Sequence, residues 1–148
     1  MVPQIDLLKR LVLSKFPITI IQTEDCDGVI ELFEQLSRTE HRGFFYWNPK
    51  LGIHQLAHPE DAIEDTKTPL QALQCIEQSQ HFGHFLLNGD MCDSLHNDEC
   101  EATIQRILQV PDKSFRKVFI IGKQPNIPNH LKSKVIVIRL STQYSGQI

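Results

Sequence analysis

A three-layer α/β fold is predicted, with a mostly parallel sheet covered by helices on both faces. Three observations point to it. Strand-like runs alternate with segments of helical periodicity along the chain. The runs are short and continuously apolar, as in ITII, FIIG and VIVI, which suits strands buried on both faces. Their C-terminal ends bring Thr23, Trp47, Asn88–Asp90 and Gly122–Gln124 to one edge of the sheet, the edge where such sheets bind ligands.

The elements follow in order. Pro3 to Lys15 has Ile5, Leu8, Leu11 and Val12 at helical spacing, and Pro17 ends it. Pro17 to Thr23 is a β-branched strand. Asp25 or Asp27 can cap a helix from about Gly28 to Thr39, with Val29, Ile30, Phe33 and Leu36 as its apolar stripe. Gly43 to Trp47 is a second strand, and Ile53 to Leu56 can return beside it as a short hairpin after the Asn48–Gly52 turn. His58 to Lys67 is a polar, acidic loop. Thr68 caps a helix with Pro69 in its first turn, running to Gln80. Phe82 to Asn88 is a third strand, followed by a loop to about Asn97 and a helix from Asp98 to Val110. Arg116 to Gly122 and Lys134 to Leu140 are the last two strands. One helical turn at Pro128–Leu131 lies in the connector between them.

A chain of 148 residues fits one domain, with a core from about 4 to 140 and a polar, loose tail from 141 to 148. The net charge of −3 gives no global field for nucleic acid or an anionic membrane. No apolar run approaches the ~18–20 residues of a membrane span. The first residues lack the order of a signal peptide, so a cytoplasmic protein is expected. The four cysteines form no CxxC pair, and free thiols are expected, with Cys75 buried on a helix.

The turn after the first strand, Thr23-Glu24-Asp25-Cys26-Asp27-Gly28, is where a nucleotide-binding α/β protein would hold phosphate. Here it has three carboxylates, one glycine and no lysine, so phosphate would be repelled.

At this point the residues resemble a known family. Five strands, with a polar residue after the third and a Pro-containing connector after the fourth, resemble the core of AAA-type P-loop ATPases. More narrowly, PITIIQTED, FFYWNPKLGI, TPLQALQCI, HFLLNGD and VFIIGKQPNIPNHLKSKVIVIRL resemble the N-terminal region of the plastid and cyanobacterial-type AAA ATPases and their bacterial relatives. The resemblance runs from about Asp6 to Leu140. It implies a P-loop NTPase-like sheet of five strands in the order 5-1-4-3-2, in a region that precedes the ATPase domain and is a degenerate copy of it. The catalytic signatures are missing. No GxxxxGK[ST] occurs. Phe85-Leu86-Leu87 leads to Asn88 rather than to Asp-Glu, and Asp90 comes two places late. Gly122, followed by Lys123, replaces the polar residue expected after the fourth strand. What the resemblance implies is therefore a regulatory or assembly role without catalysis.

The candidate binding residues are Thr23, Glu24, Asp25, Trp47, Asn88, Asp90 and Lys123. No catalytic residue and no metal ligand is assigned, and no cofactor is expected. Glu24, Asp25 and Asp90 could converge on Mg²⁺ or share a proton, although helix capping and solvation explain them as well. Asp90, Cys92, Asp93, His96 and Asp98 mix carboxylate, thiol and imidazole, but lack a structural-zinc spacing. Cys26 sits at a helix start, which favours thiolate, while its carboxylate neighbours oppose it. Trp47, with Phe45 and Tyr46, could be an exposed aromatic anchor or core packing. Lys113, Arg116, Lys117, Lys123, Lys132 and Lys134 give the C-terminal third a basic bias. The leading expectation is a domain acting through a protein partner or self-association, without nucleic acid or membrane. The alternative is an atypical nucleotide- or metal-binding domain at the acidic sheet edge.

Overall fold

The computed structural model describes residues 3–13, 18–39, 43–79, 83–109 and 116–140. Its elements are α1 (Pro3–Val12), β1 (Ile18–Gln22), α2 (Cys26–Ser37), β2 (Gly43–Asn48), β3 (Gly52–Gln55), α3 (Pro69–Gln78), β4 (Gly83–Asn88), α4 (Met91–Ser94), α5 (Asp98–Leu108), β5 (Arg116–Gly122) and β6 (Val135–Arg139), with 3₁₀ turns at Pro59–Asp61 and Asn129–Lys134. The tail from residue 141, expected to be loose, lies outside the described residues.

The sheet has six strands in the order β3-β2-β4-β5-β1-β6. Every pairing is parallel except β2 with β3. The expected count of five is therefore corrected to six, because the short return after the Asn48–Gly52 turn is a full edge strand. The five parallel strands keep the order implied by the resemblance. β1 lies between β5 and β6, with Ile18 opposite both Val118 and Val135. Its four residues Ile18 to Ile21 are all buried, as suits an interior strand.

Each face of the sheet carries its own core. Leu8, Leu11 and Val12 of α1 and Val29, Phe33 and Leu36 of α2 pack on one face against Ile21, Phe44, Leu86, Phe119 and Ile121. On the other, α3, α4 and α5 place Leu73, Ile76, Met91, Ile104 and Ile107 against Ile18, Ile20, Phe85, Leu87, Val118 and Ile120. Successive strand side chains alternate between the two cores, which is why the strands read as unbroken apolar runs. Among the described residues no helix is long and apolar enough to cross a membrane.

Caps set several boundaries. Thr68 and Gln71 form a reciprocal capping box ahead of α3, and Asn97 caps α5. α2 begins at Cys26 rather than near Gly28, because Asp25 is its cap. The expected loop after β4 contains α4 instead, a single turn too short to show a period. Gly52 sits at φ +82°, and a Cβ there would lie 2.5 Å from Thr66 Oγ1. Lys117, part of the basic bias, is turned into the protein and not towards solvent. It is buried, and its Nζ donates to Leu11 O near the end of α1 at 3.2 Å.

Candidate functional site

The C-terminal edge of the sheet is closed tightly at β1. Only Thr23, Glu24 and Asp25 separate β1 from α2. Thr23 is buried; its N–H donates to Gly122 O at 3.0 Å and its hydroxyl accepts from the Asp25 N–H at 3.1 Å. Asp25 Oδ1 in turn accepts from the Gly28 N–H at 3.0 Å. The amide that an anion would seek at this helix start is already bound by the chain's own carboxylate.

Gly89 and Gly122 meet on the neighbouring strand ends. A Cβ on Gly89 would lie 2.9 Å from the Gly122 Cα, and one on Gly122 would lie 3.1 Å from the Gly89 Cα. The fourth-strand position where a polar residue was expected is thus held to glycine by backbone contact.

Around this edge the structure gathers Glu24, Asp25, Asp27 and Lys123 about the Cys26 thiol. Burial raises that thiol's pKa; Lys123 lowers it, and the three carboxylates raise it further. Tyr46 stands beside the group. Burial raises its phenol's pKa, a hydrogen bond with Asn88 opposes the rise, and Asp27, Cys26 and Asp90 add to it. Asn88 Oδ1 also accepts from the Asp90 N–H at 2.9 Å, fixing the start of the loop after β4. Of the seven predicted residues, Glu24, Asp25 and Lys123 therefore act electrostatically on Cys26, Asn88 hydrogen-bonds Tyr46, Asp90 acts electrostatically on Tyr46, and Thr23 is buried.

Trp47 is the exception. It is fully buried in the core on the α3–α5 face, and its indole N–H donates to Thr66 O at 2.8 Å. Trp47 is therefore a packing residue, and not the exposed anchor that was the other reading of its sequence. Sequence reasoning passed over its neighbour Tyr46 as a polar member of the edge. The usable signal was alternation: Tyr46 lies one residue from Trp47 and so points to the face of α2, whose first turn borders the edge.

Among the described residues the acidic and mixed sets weighed as possible ligands form no compact group. Among the described residues Glu24, Asp25 and Asp90 do not bring ligand atoms within 4.8 Å of one another. The set after β4 is also dispersed. Cys92 is buried, its thiol pushed up to about 11 by desolvation, and His96 Nε2 meets Asn126 O at 3.0 Å. The group that does come together is His58, Glu60 and Asp61, all exposed on the turn after β3. All four cysteines are free; Cys75 is half-buried rather than buried.

Residues 4–140 match the family of the SpoVK-like AAA ATPase, N-terminal domain. The chain belongs to that family. A comparison with curated proteins gave no match. In this SpoVK-like N-terminal domain the sheet has a P-loop-like strand order, and the turn after β1, where a P-loop would lie, has three residues, a threonine and two carboxylates. Lys123 is the one cation near the Cys26 thiol among the described residues, and it stands against three acids.

Proposed function

We propose that the chain is a non-catalytic accessory domain of an AAA-type protein, working through protein contacts in regulation, docking or self-association. One observation carries this reading. The turn from β1 to α2 is too short to wrap phosphate, and the Asp25 carboxylate occupies the helix N-terminus. A P-loop needs a longer loop whose backbone N–H groups and lysine surround the phosphates. A carboxylate about 4 Å from a phosphate charge costs about 4 kcal/mol at an effective dielectric near 20. That exceeds the ~0.3–1 kcal/mol typical of a helix N-terminus. Kinship with the plastid and cyanobacterial members rests on the PITIIQTED and FFYWNPKLGI matches.

The test pairs calorimetric titration of ATP with Mg²⁺ present, a phosphate-release assay, and mass by light scattering with and without a SpoVK-like ATPase module. Neither heat nor release, together with a larger species, supports the proposal. Micromolar nucleotide binding lost on Glu24→Ala or Asp25→Ala would replace it with a metal-bridged nucleotide site.

A further inference from the structure

The two edges of the sheet are finished differently. On β3 the Leu56 N–H turns inward to Phe44 O at 2.9 Å, so by alternation the backbone of Ile53 and Gln55 faces outward. The chain covers those groups itself. The Ile53 N–H donates to Thr66 Oγ1 at 2.9 Å, Ile53 O accepts from the Ile63 N–H at 2.7 Å, and Gln55 O accepts from the His58 N–H at 2.9 Å.

On β6 the Leu140 N–H turns inward to Gln22 O at 2.9 Å, so the N–H and C=O of Val135, Val137 and Arg139 face outward. Among the described residues no strand or loop pairs with them. The strand is apolar on both faces: Val137 is 53% exposed, and Ile136 and Ile138 are half-buried. Val135 and Val137, with Ile20, Ile127 and Lys132, line a cavity of about 250 Å³ beside the strand. An apolar edge left open in this way is a template for another strand.

Charge selects the partner. From Lys113 onward the chain has no Asp or Glu, while Lys132, Lys134 and Arg139 are exposed at the two ends of β6. A second copy fits poorly, since antiparallel self-pairing centred on Val137 brings Arg139 of one copy near Lys134 of the other. Nucleic acid would use the charge but neither the outward backbone nor the apolar cavity.

We propose that β6 is a strand-docking edge that takes up an extended acidic peptide segment of a protein partner. The inference rests on the interaction-domain reading and gives it a surface and a ligand chemistry. The peptide backbone pairs with Val135, Val137 and Arg139. Its side chains on one face pack over the cavity, and its carboxylates meet Lys132, Lys134 and Arg139.

The probe is a blocked peptide of alternating valine and glutamate. The controls are its valine–lysine counterpart and a short oligothymidylate. With the acidic peptide, hydrogen exchange at the Val135 and Val137 amides is expected to slow at least about tenfold, and binding to weaken as salt rises. Val137→Pro removes an outward N–H, as edge strands tolerate, and is expected to abolish binding while circular dichroism stays native. If that variant does not fold, Lys134→Glu with Arg139→Glu, both exposed, is expected to cut affinity for the acidic peptide at least tenfold and to favour the lysine peptide.

The proposal is overturned by no protection with the acidic peptide, by equal binding of the lysine peptide, or by the same response to oligothymidylate. Protection of both amides in the free protein would also overturn it, since the edge would already be paired. Complexes with an ATPase module that survive in Val137→Pro would remove this surface and leave the interaction reading standing. Loss of every protein complex in the unmodified chain would remove both.

Discussion

Trp47 and Thr66 are joined across 19 residues of chain by an indole N–H that donates to the Thr66 carbonyl at 2.8 Å. The Thr66 hydroxyl donates to Ile63 O at 2.7 Å and accepts from the Ile53 amide at 2.9 Å. One threonine therefore ties the loop before α3 to both strands of the β2–β3 hairpin. Trp47→Phe keeps most of the apolar volume but strips the buried carbonyl of its donor, at an expected cost of about 1–3 kcal/mol. Trp47→Ala also opens a cavity and is expected to cost about 3–5 kcal/mol. Urea unfolding measures both; a Trp47→Phe variant as stable as the unmodified protein would mean that packing alone matters at this position.

Gly89 and Gly122 form a close backbone approach at the strand ends. Because the atoms a methyl group would meet are backbone, neither side can yield by a rotamer change. Gly89→Ala is expected to destabilise by about 1–3 kcal/mol, as overpacking does elsewhere. Gly122→Ala is expected to cost less, since its clash is 0.2 Å milder on the distances of 2.9 and 3.1 Å. Melting temperatures that rise in either variant would contradict the contact.

Asp25 and Asp27 are separable by mutation. Asp25 accepts the Gly28 amide as the cap of α2, while Asp27 lies inside the first turn, where the helix dipole favours it. Asp25→Ala is expected to cost about 0.5–2 kcal/mol. Asp27→Ala is expected to cost no more than about 0.3–1 kcal/mol, and less at high salt. Chemical denaturation at two ionic strengths distinguishes the two, and a larger loss at Asp27 would reverse the assignment.

The sequence made the five parallel strands legible because each carries apolar side chains on both faces, as a strand between two helical layers does, and that leaves an unbroken apolar run. The same two-sided apolarity hid the fate of Trp47. In GFFYW both alternating sets are apolar, so period two cannot say which residue reaches solvent. α4 escaped because four residues cannot display a helical period. The acidic turn was readable by composition. That Asp25, rather than Asp27, seals the helix start depends on backbone geometry at the end of β1, which no side-chain pattern records. Tyr46 emerged only when the register set it beside Leu86 of β4, whose following residues include Asn88.

Cys92 provides a test of pH response. Desolvation pushes its thiol from an ordinary value of 9.0 up to about 11. The neutral thiol is thus favoured in the folded state. Its contribution to stability is complete below about pH 9 and is lost as pH rises towards about 11. Cys92→Ala or Cys92→Ser should flatten that alkaline loss in denaturation curves. At pH 8 a thiol-reactive probe is expected to label the half-buried Cys26 and Cys75 before Cys92. Early labelling of Cys92 in the native protein would show that its pocket opens.

β1 is the second element of the chain, yet both its neighbours in the sheet are made last. Ile18 is matched with Val118 on one side and Val135 on the other. A ribosome adding ~5–20 residues per second would leave this apolar strand without a mate for about 5–20 s. During that interval α1 and α2 can form, but neither supplies the hydrogen-bonding edge that Ile18 to Ile21 require. The newborn chain is therefore most vulnerable to aggregation in its earliest strand, and cannot complete the sheet until nearly all of residues 4–140 have left the exit tunnel.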